Sequence, residues 1–184
     1  MIAPRGMGSA LGGLVDGTLS LVRRIRRPLP AAITLVPGID PDFSLSRRGA
    51  RLGNEFRRMG FRDVGAFRIL EVPGGRVDLF LSRAGDRAGV VYANPQMGSW
   101  AEALARLDDG RILLVSAAPA GHRRPEAPTL NRTWRLGADP ARLVRELERE
   151  VPPGRLLLAL RRRSLPRLVE RVYSGEASPQ WLGF

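Results

Sequence analysis

Cysteine and lysine are both missing from this 184-residue chain. Without Cys there is no disulfide, no thiolate nucleophile and no Cys-ligated zinc or iron–sulfur site. Without Lys there is no Schiff-base amine and no phosphate loop of the kind that closes on a Lys. Histidine occurs once, at His122. Aromatic residues make up only 6% of the chain, too few for a sheet lined with base-stacking rings. No stretch reaches the roughly 20 apolar residues of a membrane-spanning helix. The nearest approach, residues 7–22, is rich in Gly and interrupted by Asp16. It also lacks the order of a secretory signal, because its apolar run precedes the Arg cluster. The expected location is cytoplasmic, with membrane association open through surface charge.

What the chain does have is arginine. All 30 basic residues are Arg, set against 18 acids, for a net charge of +12. Codon usage in a GC-rich genome accounts for Arg in place of Lys. It does not account for the excess, nor for its placement. Residues 1–60 hold ten Arg and four acids (+6), residues 61–120 seven of each (zero), and residues 121–184 thirteen Arg and seven acids (+6). A neutral middle between basic ends is the charge pattern of a body with adhesive termini.

Periodicity divides the chain into elements. Residues 9–27 carry Leu11, Leu14, Val15, Leu19 and Val22 on one helical stripe, followed by Arg23, Arg24, Arg26 and Arg27. Pro28 and Pro30 end that helix. The expected organisation is this amphipathic segment, residues 1–30, ahead of one α+β domain, residues 31–184. Residues 33–36 form a short apolar segment. Asp40 or Asp42 is expected to cap a helix running to Met59, stopped by Gly60 with Phe61 folding back. Strands are expected at 64–72, 76–82 and 88–93, separated by Gly-rich turns. Residues 100–107 admit two readings. Ser99 and Glu102 have capping-box spacing for a helix, while Asp109-Gly110 favours a hairpin strand, which is preferred. Residues 111–117 are apolar on both faces, as in a central strand, and 129–136 read as an edge strand. Asp139-Pro140 opens a helix with stripe Leu143, Val144, Leu147 and Val151. Residues 155–160 are open between strand and helix, and Ser164 is expected to cap a last helix through Tyr173. The expected fold is an antiparallel meander of about five strands flanked by N- and C-terminal helices.

Catalytic chemistry finds little support. His122 has two adjacent arginines but no acid nearby in sequence to orient it; a hydrolase-type role for it is the weakest of the functional readings. Asp108-Asp109 and Asp40 with Asp42 are better explained by turns and caps than as metal or glycosidase carboxylates. Glu71 and Asp78 could face each other across a hairpin. No cofactor is implied. The remaining signals are three basic clusters: Arg23 to Arg27; Arg47, Arg48, Arg51, Arg57 and Arg58; and Arg161, Arg162 and Arg163 with Arg167 and Arg171. The functional expectation is a non-catalytic binding or accessory module that contacts an anionic membrane surface or an acidic protein partner, with a place in a larger assembly open. Its site residues would be the stripe from Leu11 to Val22, Arg23, Arg24, Arg26, Arg27, and Arg161 to Arg163. Nucleic-acid phosphate is the alternative partner.

Overall fold

The computed structural model describes residues 30–38, 45–119 and 127–174. The amphipathic segment of residues 1–30, apart from Pro30, lies outside them, as do Asp40, Asp42, His122 and the last ten residues. The elements run β1 (Leu35–Pro37), α1 (Arg47–Arg58), β2 (Arg62–Ile69), β3 (Arg76–Leu81), β4 (Arg87–Asn94), β5 (Gly98–Arg106), β6 (Ile112–Ser116), β7 (Leu130–Trp134), α2 (Pro140–Arg149) and α3 (Leu165–Ser174).

The protein is α+β, but its sheet has seven strands rather than about five, laid side by side in chain order. One addition is β1, three residues pairing Leu35 with Ile69, too short for any alternation to show in sequence. The other correction is direction. β7 runs parallel to β6, with Ile112 opposite Leu130 and Ser116 opposite Trp134. A parallel return needs a crossover of about a dozen residues, and the stretch between Ser116 and Leu130 provides it. The remaining neighbours are antiparallel, as a meander requires.

Both faces of the sheet are buried. On one, Leu52 and Phe56 of α1 and Leu143 and Leu147 of α2 share a core with Phe80, Val91, Leu113, Val115 and the alanines Ala101, Ala103 and Ala105. On the other, Leu165, Val169, Val172 and Tyr173 of α3 join Val77, Leu79, Val90, Tyr92, Trp100, Leu104 and Leu114. β5 explains the ambiguity of its sequence. It alternates large with small residues, and both sets are buried, so polarity gives no period-2 signal.

Local chemistry sets the helix ends. Ser46, rather than either upstream Asp, caps α1, its Oγ accepting from Gly49 N at 3.1 Å. Gly60 follows with φ +83°, Phe61 N donates to Phe56 O at 3.1 Å, and the Phe56 and Phe61 rings meet at 5.3 Å. Asp139 caps α2 by accepting from Arg142 N at 2.7 Å. Ser164 behaves differently from expectation: its hydroxyl donates backward to Arg161 O at 3.1 Å.

The segment 155–163 is neither of the two expected forms. It is a strap across the strand ends. Leu157 bridges Leu107, Leu158 N donates to Arg106 O at 2.8 Å, and Leu160 N donates to Gly85 O at 2.6 Å. Arg162 Nη2 then reaches Val64 O at 3.1 Å. The strap thus carries the chain from α2 on one face to α3 on the other, around the end of the sheet that bears the Gly85 and Gly110 turns.

Candidate functional site

The arginines of the described residues separate into those with a carboxylate and those without. Asp63 takes Arg57 in a fork, with Nη2 at 2.9 Å and Nε at 3.0 Å, and this bond raises the Arg57 pKa. Asp78 binds Arg76 at 2.7 Å. Arg87 joins Asp86 and Glu148. Asp109 holds Arg111 at 2.8 Å, and Arg155 lies 3.5–3.6 Å from Asp108 and Asp109. Glu146 takes Arg135 and Arg149, and Glu55 takes Arg51. These pairs consume most of the acids on the described surface.

Six arginines without a carboxylate lie at the Gly85 end, while Arg47, Arg48, Arg68, Arg142 and Arg145, also exposed and without one, lie elsewhere on the described surface. Arg58 lies at the C-terminus of α1, and Arg62 opens β2 opposite Leu81. Arg83 sits in the β3–β4 turn, and Arg161, Arg162 and Arg163 lie on the strap. All six are exposed, and none has a carboxylate partner. The backbone bond from Leu160 to Gly85 and the side-chain bond from Arg162 to the Val64 carbonyl bring them together. Leu156, 68% exposed, lies on the same strap beside the Gly110 turn. The result is a basic surface with one apolar side chain at its margin.

Of the sequence-derived site residues, Arg161, Arg162 and Arg163 therefore lie together on a described surface. Leu11, Leu14, Val15, Leu19, Val22, Arg23, Arg24, Arg26 and Arg27 fall outside the described residues. The second basic cluster divides: Arg51 and Arg57 are paired, Arg47 and Arg48 stand at the opposite end of α1, and Arg58 joins the strap. Arg62 and Arg83 were missed, because they belong to the third of the chain whose charge sums to zero. Their signal was positional: one follows the Gly60 helix stop and the other precedes the Ala84-Gly85 turn, both places that face solvent.

The carboxylate candidates resolve into structural roles. Asp109 accepts from Arg111 N at 3.1 Å inside its turn. Glu71 and Asp78 do not face each other: Glu71 takes the Thr34 N–H at 2.8 Å and hydroxyl at 2.7 Å, while Asp78 holds Arg76. Glu102 is no helix cap. It is 2% exposed in the sheet, where Ser116 Oγ donates to Oε1 at 2.7 Å. Among the described residues no group of His, Cys, Asp or Glu could hold a metal ion.

No family model, curated protein or solved structure matches the chain. The chemistry of its partner has to follow from its own surface. That surface has strong hydrogen-bond donors, fixed positive charge and little apolar area, which suits oxyanions presented on a broad face.

Proposed function

We propose that this protein is a non-catalytic binding or accessory module that docks the Gly85 end of its sheet on an anionic membrane surface. The supporting observation is the group of six unpaired guanidiniums around the strap, with Leu156 exposed beside them. Near an anionic leaflet each basic side chain contributes about 1 kcal/mol, and the attraction fades beyond a Debye length of about 10 Å. Several such contacts give reversible attachment without insertion. No helix among the described residues is long and apolar enough to cross a membrane. The stripe from Leu11 to Val22 and the arginines from Arg23 to Arg27 would add a second, sequence-encoded attachment. Nucleic acid is the second reading because guanidiniums also grip phosphates. It is disfavoured by the aromatics: the most exposed ring among the described residues, Trp134, closes β7 at the far end of the sheet from the strap.

Vesicle flotation tests this reading. The full chain is expected to float with vesicles of phosphatidylcholine containing phosphatidylserine, and not with phosphatidylcholine alone. Replacing Arg161, Arg162 and Arg163 together by Gln should lower binding about a hundredfold, at three contacts of about 1 kcal/mol each, while circular dichroism stays unchanged. Equal binding to neutral vesicles, or none to anionic ones, would refute it. Tighter binding to duplex DNA than to anionic vesicles at the same salt would transfer the function to the nucleic-acid reading, and capture by polyglutamate alone would transfer it to an acidic protein partner.

A further inference from the structure

Arg106 closes β5 at the Gly85 end, and its Nε is buried without a hydrogen-bond partner. The side chain as a whole is half-buried, so it is not sealed from solvent. Strand alternation places it on the α3 face, with Leu104 behind it on β5, Ile112 opposite on β6, and Leu158 of the strap on its other side. Desolvation in these apolar surroundings lowers its pKa, and no carboxylate offsets that effect. The acids nearest in the chain and register are committed elsewhere. Asp86 binds Ser82 and Arg87, Asp109 binds Arg111, Asp108 and Asp109 both lie beside Arg155, and Glu102 takes Ser116.

A guanidinium has five N–H donors arranged as a fork, and leaving a buried charged donor unmatched is costly. A planar or tetrahedral oxyanion arriving from the strand end would satisfy Nε and one Nη together. We propose that Arg106 is a discrete binding position for a single oxyanion of the phosphate class, separate from the diffuse basic surface of the strap. The proposal does not depend on the membrane reading, since free phosphate and a lipid headgroup phosphate present the same oxygens.

The probes are inorganic phosphate and a soluble short-chain phosphatidic acid below its micelle concentration. Four results are expected. Phosphate raises the melting temperature of the full chain and shifts the Arg106 Nε–H resonance. Arg106→Met weakens that response about tenfold or more, the loss of one charge-assisted hydrogen bond or two. In phosphate-free buffer Arg106→Met melts at a higher temperature than the parent, because an unmatched charge has been replaced by an apolar chain of similar length. The triple Gln variant at Arg161, Arg162 and Arg163 retains the phosphate response, which separates this position from the strap. Stronger binding of the phosphatidic acid assigns a headgroup source, and equal or stronger binding of inorganic phosphate assigns a free anion; either supports the proposal. An Arg106 Nε–H resonance unmoved by both probes overturns it in the parent protein. A lower melting temperature for Arg106→Met overturns it too, since Arg106 would then be a satisfied structural residue.

Discussion

Gly89, in the middle of β4, lies under the ring of Phe56. A Cβ there would meet three carbons of that ring at 2.5, 2.6 and 2.7 Å. Phe56 is wholly buried and stacked on Phe80 at 5.3 Å, so the ring has nowhere to retreat. Gly89→Ala should therefore destabilise the protein by about 2 kcal/mol through overpacking. Combining it with Phe56→Leu should cost less than the sum of the two single changes, as a urea-denaturation cycle would show. In sequence Gly89 was one small residue in a strand, and its reason was invisible until α1 was packed on that face. Glu71 illustrates a second residue-scale effect. Burial pushes its pKa up, but the Thr34 N–H and hydroxyl outweigh that and hold it below its ordinary value of 4.5. A depressed folded pKa gives stability that is present above 4.5 and lost as pH falls through the folded value. Thermal melts across that acid range should show a loss that Glu71→Gln reduces. From sequence Glu71 and Asp78 could face each other, because strand spacing says nothing of Thr34, just before β1, which supplies the actual donors.

The helices show which element boundaries local chemistry can set alone. Asp139 and Pro140 state the start of α2 in two adjacent residues, and the structure uses both. α1 was less legible. Asp40 and Asp42 were the expected caps, and Ser46 takes the role because the helical turn begins at Arg47. Removing either cap leaves helix N–H groups without their acceptor, so Asp139→Ala and Ser46→Ala should each lower stability by about 1 kcal/mol in denaturant titration. The two segments that sequence left open have different explanations. Residues 100–107 became a strand because β4 and β6 supply partners on both sides. Residues 155–160 became a strap because the sheet end offered single bonding positions at Asp108, Leu107, Arg106 and Gly85, one at a time, rather than a continuous strand edge.

At the scale of the molecule, charge and fold are organised on different axes. Along the chain the excess of Arg lies in the outer thirds. In space, ion pairs remove much of it, and six of the arginines left without a carboxylate meet at the Gly85 end, among them Arg62 and Arg83 from the neutral third. The proposed membrane contact belongs to this scale, since it depends on several side chains acting at once, and the vesicle measurement addresses it as a whole. The sequence by itself determined the α+β class, the burial of β6 on both faces, the helix stop at Gly60 and the cap at Asp139. Each of these is written in neighbouring residues, through turn chemistry or apolar continuity. The tertiary structure alone decided the seventh strand, the parallel direction of β7, the strap, and which arginines stand unpaired. Those outcomes depend on contacts between residues far apart in the chain, where no local pattern carries the information.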